Sequence, residues 1–404
     1  MKERFSLYGF LRNQKYYEPF LLLAFLDRGL DYFMIGLLIS FRQVWVNLLE
    51  IPSGFIADSF GRRFSLIASF IAYILSFIIF AQSAPVWTLF IAMFLFAIGE
   101  AFRTGTHKAM IFAWLDVNGR ADEKIEVYGY TRSWSQIGSA ISLIIATAAV
   151  LTSGGYRTMF YLAIPPYLIN IVNLLGYPSF LDNPTPQKFS FRQLVRRFSD
   201  TLGSALKNRS LRALFLESMI VRGNSMLIKD YLQPMLKEGA LVLPLFLALA
   251  VEKRSALLIG AVYFILYLVS GLASRNAHLV VMRLKGEKKT TKALVALSAA
   301  AFVIATASLL MRHIMPAALM FTLVVILQNI WRPILVSRID EASDSKMGAT
   351  VMSINSQVGS FYVMICAPLL GLAVDALGLI SVAAFGILTS LAILIRKLNV
   401  GGER

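Results

Sequence analysis

Long apolar runs alternate with short polar breaks along the chain, and a helix needs about 20 apolar residues to cross a bilayer. Twelve runs fit, at residues 19–39, 41–57, 64–81, 86–115, 128–151, 157–180, 210–234, 255–280, 290–311, 314–337, 348–373 and 378–397. Residues 241–250 are apolar but too short to span, and are expected in the connection between the seventh and eighth crossings. Residues 182–209 break the pattern with Pro184, Pro186 and a run of basic positions, within which FRQLVRRFSDTL reads as a helix lying on a membrane surface. The predicted fold class is an all-α membrane protein of twelve transmembrane helices. Its expected organisation is a six-helix bundle at 1–181, a cytoplasmic linker at 182–209 and a second six-helix bundle at 210–404.

Composition agrees with the pattern. The chain is 57% hydrophobic and 15% charged, where a soluble domain carries about 25% charged residues. The net charge of +16 does not point to nucleic acid, because the basic residues sit between apolar runs, as in loops facing anionic lipid. Twenty-six Lys and Arg fall on the side shared by both termini. Six fall opposite: Arg42, Arg157, Lys237, Lys253, Arg254 and Arg312. That bias places both termini in the cytoplasm of a multi-pass cell-membrane protein. The basic start, MKERFSLYGFLRNQKYYEPF, reads as a cytoplasmic tail with no cleavage site. The single Cys366 lies in an apolar run, so no disulfide framework exists. Neither a phosphate-cradling Gly-Lys loop nor a His/Cys cluster appears, so no ATP hydrolysis, metal, cofactor or enzyme activity is expected.

Between the second and third runs lies GFIADSFGRR, residues 54–63. Asp58, Arg62 and Arg63 fix the membrane surface there. Gly61 permits a tight turn, and Gly54 leaves room for a close helix approach. This hairpin resembles the signature loop between helices 2 and 3 of the major facilitator superfamily of transporters. The preceding Glu50-Ile51-Pro52 resembles a common variant in that superfamily, with Pro52 bending the helix and Glu50 structural. The resemblance implies two bundles related by a pseudo-twofold axis, with helices 1, 4, 7 and 10 lining a central cavity. It also implies that Asp58 meets the positive N-terminal end of helix 11, near residues 347–350, as a cytoplasmic latch rather than a substrate site.

The two halves repeat each other. Ser135-Gln136-Ile137-Gly138-Ser139 recurs as Ser356-Gln357-Val358-Gly359-Ser360, and Glu100-x-x-Arg103 as Asn329-x-x-Arg332. Arg28-Gly29 is paired with Arg222-Gly223. Ser270-Gly271 is a worn copy of Ser53-Gly54 in which Arg275 replaces the acid. Parallel repeats of this kind build the superfamily.

Ionisable residues inside the runs would each cost roughly 2.5–3.5 kcal/mol facing lipid at the bilayer centre. They are therefore expected against other helices or a wet cavity. Asp27 and Asp31 share a face at i,i+4; Glu100 and Arg103 continue into His107, and Arg132, Gln136 and Ser139 do likewise. Asp27, Asp31, Glu100, Arg103, Arg132 and Gln136, with Arg28, Glu217, Arg222, Arg332 and Gln357, form the candidate cavity set. Arg28, Arg103, Arg222 and Arg332 supply one basic residue per cavity helix. Substrate contact competes with a gating or ion-pair role at Arg103 and Arg332, and proton coupling with a plain ion pair at Asp27 and Asp31. His107 reads as a helix-end residue.

The expected function is alternating-access transport of a small organic solute, anionic or zwitterionic because guanidinium forks match carboxylates and phosphates. Coupling to H+ through carboxylates and a monomeric state in the lipid bilayer complete the expectation. An efflux carrier of amphipathic compounds or a facilitative uniporter is an alternative, and a non-transporting solute sensor is one of another class. Helix 5 carries SQIGSAIS where drug antiporters of the superfamily carry a Gly-Pro motif, and TGTHK follows Arg103 in place of the expected glycines. Both departures weaken the drug-efflux alternative.

Overall fold

The computed structural model describes residues 1–82, 85–182, 193, 196, 199–200, 203, 207–243, 248–343 and 348–401, and no strand occurs among them. The N-terminal helices are α1 (Lys2–Arg12), α2 (Leu21–Leu26), α3 (Tyr32–Phe60), α4 (Arg62–Ala81), α5 (Val86–Arg103), α6 (Thr106–Val117), α7 (Lys124–Ser153) and α8 (Arg157–Leu175). The C-terminal helices are α9 (Arg209–Val242), α10 (Val251–Arg275), α11 (Ala277–Arg283), α12 (Glu287–Leu310), α13 (Ile314–Ala342), α14 (Gly348–Leu377) and α15 (Ile380–Gly401). Nine spans among the described residues are long and apolar enough to cross a bilayer. Three crossings are less regular: the first is in pieces, α9 is interrupted by charges, and the last has a shorter apolar stretch. Of the surface helix expected at 191–202 only residues 193, 196, 199 and 200 are described, each of them helical, and the centre of 241–250 lies outside the described residues.

The first two crossings differ from the hydropathy reading. The chain turns at residues 27–31, not near 40, so the first crossing runs from α1 to α2 and the second is the whole of α3. Gly29 takes φ +79° in this turn, and Asp31 accepts the Met34 N–H at 2.7 Å to cap α3. The expected cytoplasmic tail is therefore the first half of a crossing. It is polar by composition but buries Phe5, Tyr8, Leu11, Tyr16 and Tyr17 against α7 and α8.

Residues 13–17 interrupt that crossing for local reasons. Asn13 Nδ2 donates to Gly9 O at 2.7 Å, satisfying a carbonyl at the end of α1. Pro19, at the start of the short turn Glu18–Phe20, supplies no N–H to continue the ladder. The fourth crossing breaks in a similar way. Gly105 sits at φ +78° between α5 and α6, so the TGTHK departure is a helix break directly after Arg103.

The described chain packs as two units. One combines Met1–Leu21 with Phe41–Arg196, and the other combines Leu22–Ser40 with Arg197–Arg404. The division departs from the expected one at Leu22–Ser40, which joins the second unit. In the first unit, Ser65, Ser69 and Ser76 of α4 donate to the carbonyls of Phe102, Gly99 and Ala92 at 2.8, 2.6 and 2.8 Å. Such small residues let two helices meet closely where hydrophobicity offers no drive. The second unit is centred on Leu214, Phe215, Trp331, Leu335, Ile354 and Ile393.

The repeats are visible in the packing of each unit separately. Gly138 of α7 faces the Phe10 backbone of α1, and Gly359 of α14 faces Arg222 of α9. Ser53 of α3 donates to Ala101 O of α5 at 3.0 Å. Its counterpart Ser270 of α10 accepts from Asn329 of α13 at 3.2 Å. Arg28-Gly29 is not the counterpart of Arg222-Gly223, because the former lies in a turn and the latter inside α9.

The signature hairpin is tied down within the first unit. Gly61 has φ +104°, and a Cβ there would collide with Asp182, so only glycine fits. Lacking a side chain, Gly61 cannot cap α4. Asp182 does so instead, accepting Arg63 N–H at 2.8 Å and Arg63 Nε at 3.0 Å. Arg62 donates to Ala109 O at 3.4 Å. A methyl group on Gly54 would meet nothing within 4 Å among the described residues, so the expected close approach is not made there. The pairing of Asp58 with 347–350 lies outside the described residues. Replacing Asp182 with Ala is expected to cost about 1–2 kcal/mol, the value of a helix cap with a partly exposed ion pair. A lowered thermal midpoint of the detergent-purified protein checks this.

Candidate functional site

The polar residues of the first unit converge where the first crossing is broken. Arg12, at the end of α1, and Arg103, at the end of α5, lie within electrostatic range of each other and of Tyr8, Tyr73 and Tyr167. Arg103 shares a hydrogen bond with Tyr73 and interacts with Glu100. Lys15 pairs with Glu18 at 3.2 Å and lies within range of Arg12, Arg103 and Glu100. Arg42 of α3 is over the Phe96 ring, 5.5 Å from its centroid. Arg12 and Arg103 each stand at a helix end beside a break, while Arg42 lies within the continuous α3.

Aromatic side chains wall the cluster. Phe96 meets Tyr17 and Tyr73 edge-on at 5.7 and 5.0 Å, and Tyr73 meets Tyr167 at 5.4 Å. Tyr167 is fully buried, with its hydroxyl reaching Arg12 O at 3.4 Å. Arg12 Nε is buried with no hydrogen-bond partner among the described residues. Four basic side chains thus stand against two acids, Glu18 and Glu100, among the described residues. The arrangement is a buried polar cluster lined by aromatic rings, with surplus positive charge. It can hold carboxylate or phosphate oxygens bidentately and stack an apolar body beside them.

Only Glu100 and Arg103 of the sequence-derived set belong to this cluster. Asp27, Arg28 and Asp31 lie in the turn between α2 and α3, so Asp27 and Asp31 do not share a helix face. Arg132 and Gln136 are exposed on α7. His107 is not a bare helix-end residue: its ring stacks on Tyr8 at 3.6 Å and meets the Tyr177 hydroxyl at 3.2 Å. Hydropathy overlooks Arg12, Lys15, Glu18 and Arg42, because it assigns the first three to a tail and the last to a loop. The pentapeptide DRGLD, with a turn glycine and a capping aspartate, is the available signal for the true turn.

In the second unit, Arg222 donates to Asn355 O at 3.3 Å. Glu217 is buried and accepts from Trp331 Nε1 at 2.9 Å, with Arg338 3.8 Å away, so it ties α9 to α13. Arg332 is exposed and Gln357 buried. A small cavity of about 20 Å³ lies beside Asn224, Ser298, Gln328 and Trp331.

Known proteins share this architecture. The NupG nucleoside transporter has the same fold, with a TM-score of 0.77 at 13% identity over 100% of this chain and 99% of that one. A mutant form of that transporter gives 0.78 at 14% identity over 98% and 99%. A POT family transporter in complex with 5-aminolevulinic acid gives 0.74 at 14% identity over 99% and 95%. No curated protein matches the sequence. The sequence itself matches the Major Facilitator Superfamily over residues 13–368. With that match spanning most of its length, and both the hairpin and the repeats in place, this multi-pass transporter chain belongs to the major facilitator superfamily.

Proposed function

We propose that the chain is a secondary transporter that moves a small anionic or zwitterionic organic solute across the cytoplasmic membrane by alternating access, coupled to protons. Both termini are read as cytoplasmic from the Lys and Arg bias, which survives moving Arg12, Lys15 and Arg42 into the crossings. The observation that carries the reading is the surplus of Arg12, Lys15, Arg42 and Arg103 over Glu18 and Glu100 inside the first unit. Uncompensated cations in a span are costly unless a ligand anion joins them. The 5-aminolevulinic acid held by a POT family transporter of this fold carries an amine and a carboxylate, which supports a zwitterion as a candidate.

Proton coupling falls to Glu18 and Glu100 rather than to Asp27 and Asp31, since the latter pair lies in a turn. A carboxylate in a low dielectric binds a proton when its cation is taken. A solute carboxylate that engages Arg103 leaves Glu100 placed to do so.

Flux into proteoliposomes holding the purified protein and an internal pH dye tests the reading. Amino acids, dipeptides, organic acids, nucleosides, sugars and cationic drugs form the panel. The expected result is accumulation of an anionic or zwitterionic solute with internal acidification. Accumulation of cations alone would refute the charge argument. Thermal stabilisation by a solute without any flux would favour the sensor alternative.

A further inference from the structure

Gln328 stands midway along α13, at a depth where a bilayer offers no water to a polar group. The residue is 8% exposed, and its Oε1 has no hydrogen-bond partner among the described residues. The next residue shows the usual remedy: Asn329 Nδ2 donates to Val325 O at 2.8 Å and to Ser270 Oγ at 3.2 Å. Turning the Gln328 amide over would not help, because an NH₂ group would then stand where the oxygen stands. Either way a buried polar group requires a partner.

Gln328 lines the cavity of about 20 Å³ between α9, α12, α13 and α15, all of them in the second unit. Its other polar lining is Asn224, Ser298 and Ser390. Asn224 is already committed, with Nδ2 donating to Thr389 Oγ1 at 2.8 Å and Oδ1 accepting from the Tyr362 hydroxyl at 2.6 Å. Ser298 gives its proton to Leu294 O at 2.9 Å, which leaves its oxygen free to accept. Ser390 is buried, and its hydroxyl can donate.

Size and charge select the occupant. One water needs about 10–15 Å³ and two to four polar partners, so the cavity takes one water and is too small for an organic group. No charged side chain lines it among the described residues. An ion of either sign would therefore stand without countercharge in a low dielectric. We propose that one ordered water occupies this cavity, donating to Gln328 Oε1 and Ser298 Oγ and accepting from Ser390 Oγ. It joins α13 to α12 and α15 inside the second unit, and it owes nothing to the solute or to the transport reading.

Thermal midpoints of the detergent-purified full chain test this by their sign. In a dry cavity, Gln328→Leu removes an unsatisfied buried group, and the midpoint rises or stays level. With the water in place the same change breaks its bridge, and the midpoint is expected to fall by about 3 °C. Ser390→Ala is expected to lower the midpoint of the wild type but to add little in the Gln328→Leu background, because the two side chains share one partner. A Gln328→Leu midpoint at or above wild type overturns the proposal, as do additive losses in the double variant. Hydroxyl-radical footprinting of the wild type is a test that needs no variant to fold. A brief X-ray pulse makes radicals from bound water as well as bulk, so Trp331, which lines the cavity at 3% exposure, is expected to be oxidised. An unmodified Trp331 beside an oxidised Trp87, which is 63% exposed, also overturns the proposal.

Discussion

Replacing Arg103 with Ala lowers solute uptake by about 100-fold or more while the protein still folds. The size follows from losing a bidentate, partly desolvated contact to a carboxylate, about 3 kcal/mol. The stability half of the prediction follows from charge. Removing one member of a buried ion pair is ordinarily destabilising because its partner is left uncompensated. Here Arg12, Lys15 and Arg42 remain around Glu18 and Glu100, so the deletion relieves an excess of like charge. Arg103→Lys restores the charge but not the planar fork, and is expected to recover only part of the rate. Initial rates in proteoliposomes, beside thermal midpoints of the same preparations, separate the two halves. Near-wild-type uptake by Arg103→Ala would remove Arg103 from the solute site.

Locality decides how much of this cluster, and of the fold around it, is legible in the sequence. The signature hairpin is legible because Gly61, Arg62 and Arg63 stand between two unbroken runs, and the turn at Gly61 depends on local geometry. The SQ-x-GS repeat is legible for the same reason, since Gly138 and Gly359 each serve one helix contact in regular helix. The first crossing is not. Hydropathy averages over a window, so LLLAFLDRGLDYFMIGLLIS looks like one run with charges in it, although Gly29 and Asp31 turn the chain there. That one displacement moves Arg12, Lys15 and Glu18 into a tail and Arg42 into a loop, and it falsely equates Arg28 with Arg222. The cluster itself depends on α1, α3, α4, α5 and α8 meeting in space, which no spacing rule within one helix reports. Asp182 escapes notice similarly: it caps a helix 119 residues away.

The repeated glycines yield the second large effect, and it differs between the halves. A methyl group on Gly138 would stand 2.5 Å from Phe10 O and 3.1 Å from Phe10 Cα, both backbone atoms. Neither can move without separating α1 from α7, and Gln14 would lose its 3.2 Å bond to Gly138 O. Gly138→Val is expected to cost about 3 kcal/mol or more, at the upper end of overpacking. Gly129 on the same helix has nothing within 4 Å among the described residues, so Gly129→Val should leave the thermal midpoint nearly unchanged. At Gly359 the nearest atoms are Arg222 Cδ and Cγ at 3.0 and 3.1 Å, part of a long side chain that can swing aside. Gly359→Val is therefore expected to fold, but to push Arg222 off Asn355 O and slow transport. Equivalent glycines then separate by assay, one read in the melting curve and the other in the flux. A Gly359→Val protein that is unstable, or stable with normal uptake, would show that Arg222 is held by something other than this contact.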